Sequence, residues 1–311
     1  MLTLLAALTA GALSASLVLA QPATKLKVGY VPLTGAVSHF IAKDKGFYEK
    51  HGLDVDLIMM RSSADAIPGL VSNSLQIAML PDPALIQAGD SGIDLVAVNG
   101  NLWLRSGTKD SAVIVRNGSS INGPKDFGGK RIGIIAIGSI SQVLFEKWLL
   151  MNGVDKATIS TILYSEASLP QQVDVIRTGT VDAVLPTEPF VTAILRQGGV
   201  RNISYFLGEM PDKTQLMLNA STRKWAASHE KEIAAFRKAL DEATQYALAN
   251  EKEARHSIIK WLKLPPEVVA AARFPDLSTL VTENDMKWWI ATLKEQSRLR
   301  TDVDPAKFLL K

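Results

Sequence analysis

The run Gly138-Ser139-Ile140-Ser141-Gln142 has residue types suited to holding a small anion. It lies between a predicted strand and a predicted helix. Exposed N–H groups and the positive end of a helix dipole attract negative charge. Gly138 lets a ligand approach the backbone, and Ser139 and Ser141 add hydroxyl donors. An alternative is a capping box, in which Ser139 is the N-cap and Gln142 follows three residues later. Both interpretations stay open on the residues alone.

Two acidic residues each precede a proline. Glu188 stands before Pro189, and its side chain fits an N-cap position less well than Asp, Ser or Thr would. It is therefore a candidate to accept a hydrogen bond from an amino, amidine or ring N–H group, with a salt bridge as the alternative. Asp82, before Pro83, is a good N-cap. If Asp82 instead faces a ligand, it argues against a purely anionic one, because an unpaired carboxylate would repel it.

Further candidates follow two other predicted strands. The turn after the first strand offers donors that are also possible helix caps. Trp103 could stack on a planar ligand or belong to the core. These additional candidate ligand-binding residues are Thr34, Gly35, Ser38, Asn101 and Trp103.

No pattern in the chain predicts catalysis or a metal centre. The four histidines form no ligand-spaced pair, and no GxSxG, GxxxxGK[ST] or early GxGxxG sequence occurs. Cysteine is absent, which excludes disulfides, thiolate ligands and a lipid-modified N-terminal cysteine. We expect no catalytic residue, no metal and no cofactor.

Strand and helix patterns alternate along the chain, which predicts an α/β fold with largely parallel sheets. Strands are predicted at 25–31, 53–59, 77–80, 94–98, 111–115, 131–136, 159–164, 183–185 and 215–218. Helices are predicted at 37–45, 64–73, 82–88, 141–152, 169–178, 189–196, 229–250, 252–262, 266–273 and 282–298.

The two halves share motifs in the same order. The strand and turn from Lys27 to Gly35 match those from Arg131 to Gly138 at an offset of about 104 residues. The acid-and-proline turns at Asp82 and Glu188 match at a similar offset. These repeats predict two lobes, with 111–115 and 215–218 as crossings that act as hinges. Residues 25–108 and 214–311 would form one lobe and 109–213 the other. Ligands bind beyond the carboxyl ends of parallel strands, so the matched loops should line one shared cleft.

Residues 1–20 read as a signal peptide. Residues 2–20 are uncharged and end Val18-Leu19-Ala20, with small residues at the positions that a signal peptidase requires. An uncleaved membrane anchor is the alternative. A net charge of +3 without a basic run argues against nucleic-acid binding. We therefore expect a periplasmic monomer that is not a lipoprotein.

The sequence resembles the periplasmic solute-binding proteins of ABC importers for sulfonates, taurine, nitrate and thiamine-pyrimidine precursors. The resemblance rests on KGFYEKHGLDV (45–55), DFGGKRIG (126–133) and TEPF (187–190), where Thr187 replaces the tryptophan usual in that family. It implies a two-lobe fold, each lobe a mostly parallel sheet flanked by helices, with the ligand cleft between lobes. It adds Thr187 and Phe190 to the candidate ligand-binding residues.

The resemblance also implies a function. The protein would capture a small organic solute, such as a sulfonate, a nitrate-like or aromatic acid or a pyrimidine, and deliver it to a transiently bound permease in the inner membrane. It would not be an enzyme. The alternatives are a periplasmic ligand sensor and an enzyme of the same fold that makes a pyrimidine.

Overall fold

A computed structural model describes residues 23–61 and 63–310. The predicted signal peptide lies outside the described residues. Those residues contain ten strands: β1 Thr24–Tyr30, β2 Leu53–Met59, β3 Ile77–Pro81, β4 Leu95–Leu104, β5 Val113–Arg116, β6 Arg131–Ile134, β7 Leu163–Glu166, β8 Ala183–Val184, β9 Val200–Ser204 and β10 Thr214–Thr222.

Helices alternate with these strands and dominate the last ninety residues. They are α1 Val37–Asp44, α2 Phe47–Lys50, α3 Ala66–Val71, α4 Asp82–Asp90, α5 Ile140–Met151, α6 Lys156–Ser160, α7 Leu169–Thr178, α8 Phe190–Gln197, α9 Arg223–Ser228, α10 Glu230–Ala249, α11 Glu251–Leu262, α12 Pro266–Ala271 and α13 Glu283–Glu295.

The strands form two five-stranded sheets of the same design. Their orders are β2-β1-β3-β10-β4 and β7-β6-β8-β5-β9. Strand β10 pairs antiparallel with both β3 and β4, and β5 pairs antiparallel with both β8 and β9. Each sheet therefore has four parallel strands and one antiparallel strand in the fourth position. The α/β prediction of two mostly parallel sheets is confirmed.

The chain changes sheets twice, and each change is followed by the antiparallel strand. The first change falls between β4 and β5 and the second between β9 and β10. The predicted crossings at 111–115 and 215–218 lie next to these changes and fall mostly within the antiparallel strands β5 and β10 themselves. The second sheet uses one continuous stretch of chain, whereas the first needs β10 to join β3 to β4. The exact lobe boundaries stay a prediction.

The element predictions are wrong at a few places, most of them in the second half. The predicted strand at 159–164 is instead helix α6 followed by β7, because the Asp155 side chain caps α6 by accepting from Thr158 N at 2.8 Å. Strand β9 was not predicted, since its VRNIS sequence lacks the alternation typical of a half-buried strand. Short helices α2 and α9 were also not predicted.

A chain of buried hydrogen bonds crosses the core beside the first sheet. His39 Nε2 lies 3.0 Å from Asn219 Oδ1, and His39 Nδ1 lies 2.9 Å from the Tyr48 hydroxyl. Because the amide oxygen can only accept, Nε2 carries the proton and Nδ1 accepts from Tyr48. Asn219 Nδ2 then donates to Asn99 Oδ1 at 3.1 Å. Complete burial lowers the pKa of His39 to about 4 and keeps the ring neutral.

Candidate ligand-binding site between the two sheets

A cavity of about 80 Å³ lies between the two sheets. Thr34 follows the carboxyl end of β1, Ser141 follows that of β6, and Glu188 follows that of β8. The cavity therefore lies where open parallel sheets bind ligands. Its lining is mostly apolar and consists of Leu33, Thr34, Gly35, Leu102, Asp110, Ser111, Ile140, Ser141, Leu144, Thr187, Glu188, Phe206, Leu207, Leu216, Met217 and Pro275.

The first turn of α5 contributes Ile140 and Ser141 to the cavity wall. Ser139 is the N-cap by backbone conformation, but its hydroxyl is buried and has no hydrogen-bond partner in the described chain. The Gln142 side chain accepts from Gly138 N at 2.7 Å instead of from Ser139 N. The capping-box alternative is therefore wrong in its pairing, and Gly138 and Ser139 stand just outside the cavity lining.

Glu188 is buried beyond the end of β8, the strand next to β6 in the same sheet. One of its carboxylate oxygens accepts from Thr192 Oγ1 at 2.9 Å and the other from Thr192 N at 3.3 Å. Burial raises the pKa of Glu188 to about 7, opposed by the two hydrogen bonds from Thr192. Helix α8 begins at Phe190, so Pro189 is its N-cap rather than its first helical residue. Phe190 does not line the cavity.

Asp110 connects the cavity wall to an ionic cluster behind it. Its main-chain oxygen accepts from Glu188 N at 2.8 Å. Its carboxylate accepts from Arg273 Nη1, with the nearer oxygen at 2.9 Å. Arg273 also donates to Thr108 Oγ1 at 2.6 Å and to Asp276 Oδ2 at 2.7 Å. Arg273 thus connects the crossing segment before β5 to the turn after α12.

Three other predicted site residues, Asn101, Ser38 and Trp103, do not line the cavity, but one of them holds a turn that does. Asn101 Nδ2 donates to the Gly35 main-chain oxygen at 2.9 Å and so supports the turn that lines the cavity. Ser38 lies outside the lining and accepts from Thr244 Oγ1 at 2.9 Å. Trp103 also lies outside it and donates through Nε1 to Gln215. Contact of any of these residues with a ligand stays a prediction.

Asp82 is not the N-cap of α4, because the helix begins at Asp82 and its N-cap is Pro81. The Asp82 carboxyl group is fully buried, and neither oxygen has a partner on another described residue. Burial, with the Asp285 carboxylate nearby, raises the pKa of Asp82 well above its usual value. Asp82 does not line the cavity, so its ligand contact stays a prediction.

We expect Asp82→Asn to stabilise the protein at neutral pH. An acid whose folded-state pKa is raised contributes stability below its unfolded pKa and loses it as the pH rises toward the folded value. The variant avoids this loss and should gain about 1–3 kcal/mol at pH 8. Urea unfolding at pH 5 and pH 8 measures the difference in unfolding free energy between the variant and the parent protein, which should increase with pH. The exposed Asp56→Asn is the matched control, and equal responses of the two variants would contradict the prediction.

Several lining residues were not predicted. Asp110 precedes the predicted crossing at 111–115 and Ser111 begins it, and this position was the one available signal. Ser111 Oγ donates to the Pro186 main-chain oxygen at 2.8 Å. Leu33, Leu102, Phe206 and Met217 are ordinary apolar residues whose position depends on how the sheets meet.

Two features are absent from residues 23–61 and 63–310. No helix there is long and apolar enough to cross a membrane. No group of three or more histidine or acidic side chains there is placed to hold a metal ion.

The paired sheets and the cavity between them define the class of periplasmic-binding-protein folds. The alkanesulfonate-binding protein SsuA of Xanthomonas axonopodis pv. citri superposes with a TM-score of 0.78, 20% identity and coverage of 93% of this chain and 99% of that one. The nitrate-binding protein NrtA of Synechocystis superposes with a TM-score of 0.75 and 18% identity, covering 91% and 84%.

Residues 19–263 match the model of the NMT1-like family, and the chain belongs to that family. A curated relative is the nitrate import ATP-binding protein NrtC of Synechocystis sp., 24% identical over 277 residues. That match covers 80% of this chain but only 38% of the relative's length.

Proposed function

We propose that this protein is the solute-binding component of an ABC-type importer. The observation that supports the proposal is the cavity closed between two sheets, lined from both by loops at the carboxyl ends of parallel strands. A solute that touches both walls favours the closed arrangement, because those contacts are complete only when the sheets approach. The closed form would then dock on a membrane permease outside the cytoplasm and release the solute.

The relatives support this proposal by the functions in their names, which specify alkanesulfonate binding, nitrate binding and nitrate import. We extend the shared role, capture of a small solute for import, to this chain as a monomer in the periplasm. The polar wall groups Thr34, Ser141 and Glu188 would contact the solute, with Asp110 and Thr187 beside them. None of these contacts requires a catalytic step.

A thermal-shift screen of the purified protein against small amines, amides, carboxylates, sulfonates and nitrate tests the proposal. A solute at one hundred times its Kd should stabilise the folded state by about 2.7 kcal/mol. Small-angle scattering should show contraction with the same solute. Ser141→Trp fills the cavity and should abolish both responses, whereas Ser120→Trp on the exposed surface should keep them. Absence of any stabilising solute, or binding that Ser141→Trp leaves intact, would contradict the cavity as the binding site.

A further inference from the structure

Given the proposed function, we propose that the solute presents N–H donors of an amidine, amine or amide to Glu188, on a small apolar body, and carries no net negative charge. The names of SsuA and NrtA specify anions, so this inference separates the chain from those two proteins.

The charges around the cavity favour this class. Among the described residues, the lining includes two carboxyl groups, Glu188 and Asp110, and no lysine or arginine. Arg273 is the cation behind the wall, and it is shared between the carboxylates of Asp110 and Asp276. Asp276 also pairs with Arg105 at 3.0 Å. The two cations and two anions of this cluster have a net charge of zero, so the cluster does not attract an anionic solute. Glu188 lies outside this cluster and adds a further acidic group to the wall.

Glu188 has acceptor capacity to spare. A carboxylate has about four acceptor positions, and Thr192 uses one on each oxygen. The remaining positions suit a group with two or more N–H donors, such as an amidinium, which binds a carboxylate through paired bonds. Beyond the end of the neighbouring strand of the same sheet, the Ser141 side chain and the first turn of α5 offer donors for one uncharged acceptor atom of the solute.

The apolar wall and the cavity size limit the body of the solute. Leu33, Leu102 and Leu144 give the cavity an apolar wall beside the polar groups. A cavity of about 150 Å³ accommodates benzene, so the present 80 Å³ suits a smaller molecule unless the sheets separate slightly. Acetamidinium, acetamide and acetate have the same shape and differ in charge and donors, which makes them suitable probes.

The state of Glu188 makes the affinity for a cation depend on pH. Burial, helped by the nearby Asp110 carboxylate, raises its pKa to about 7, against the opposing effects of the Thr192 hydrogen bonds and the field of Arg255. Arg255 itself is bound to Glu251 at 2.7 Å. Above pH 7 Glu188 is ionised and attracts a cation, and below it the protonated carboxyl does not. Affinity for acetamidinium should therefore rise from pH 6 to pH 8.

Calorimetric titration of the full chain with acetamidinium, acetamide, acetate, nitrate and methanesulfonate at pH 6 and pH 8 tests this inference. We expect acetamidinium to bind at least tenfold more tightly than acetate at pH 8, and several-fold more tightly at pH 8 than at pH 6. Glu188→Gln keeps the side-chain volume and an acceptor for Thr192, so the variant should fold. Its affinity for acetamidinium should no longer depend on pH. Glu209→Gln, at an exposed glutamate, is the matched control, and its affinity for acetamidinium should still rise from pH 6 to pH 8.

The outcomes distinguish the inference from the proposed function. Tight binding of nitrate, methanesulfonate or acetate, abolished by Ser141→Trp, with weak binding of acetamidinium would overturn the inference and leave the proposed function intact. Binding of acetamidinium that Glu188→Gln leaves unchanged would remove Glu188 from the site and also overturn the inference. Failure of all five probes, together with no response in the broader screen, would overturn both.

Discussion

Arg273→Ala should destabilise the protein by about 3 kcal/mol at pH 7. The substitution removes the cation shared by Asp110 and Asp276 and the donor to Thr108, and it leaves the carboxylate of Asp110 largely buried without its partner. Burial already raises the pKa of Asp110, with Arg273 opposing that rise. Loss of Arg273 therefore makes ionised Asp110 more costly in the folded state. Urea unfolding measures the change.

The control is Arg61→Ala, which removes an exposed pair with Asp65 and should cost no more than about 1 kcal/mol. Adding Asp110→Asn to Arg273→Ala should restore part of the lost stability, because the unpaired charge is then absent. Equal losses of unfolding free energy for Arg273→Ala and Arg61→Ala would contradict the prediction. They would show that the cluster adds little stability where the crossing segment meets the turn after α12.

The second large effect concerns pH. We expect the buried His39 to remove up to about 3 kcal/mol of stability as the pH falls from 6.5 to 4, because its folded pKa of about 4 lies some 2.5 pKa units below that of the unfolded chain. A depressed folded pKa gives stability that is present above the unfolded pKa and is lost on acidification. Protonation would also force a donor against Tyr48, which already donates to Nδ1.

His39→Gln isolates this contribution from that of the acidic groups. Glutamine can accept from Tyr48 and donate to Asn219 without titrating, so the variant should lose less stability than the parent between pH 6.5 and pH 4. His256→Gln is the control for replacing an exposed imidazole. Parallel pH profiles for the parent and His39→Gln, measured by urea unfolding, would refute the prediction.

The sequence predicted the fold well because each sheet is built from local strand and helix patterns. Strand β2 and helix α7 were predicted with their observed bounds, since both combine regular periodicity with clear end signals. The error at 159–164 arose because isoleucines there favour a strand, whereas the Asp155 cap favours a helix. Local propensity could not decide between them.

The candidate site was predicted in part for a similar reason. Thr34, Gly35, Ser141, Thr187 and Glu188 line the cavity, and each follows a strand that could be recognised in the sequence. Asp110 and the apolar wall were missed because their position depends on how the two sheets meet. Side-chain partners were equally hidden from the sequence: nothing there shows that Gln142 binds Gly138 or that the Asp82 carboxyl group has no partner on another described residue.

The antiparallel strand in each sheet bears on how the chain is assembled during synthesis. Strands β5 to β9 are contiguous, so the second sheet can be completed as soon as Ser204 has been made. The first sheet begins earlier but stays split, with β4 unattached to β3 until β10 is inserted between them. The half that is translated first is therefore the last to be finished, and its open strand edges must be protected while the rest of the polypeptide emerges.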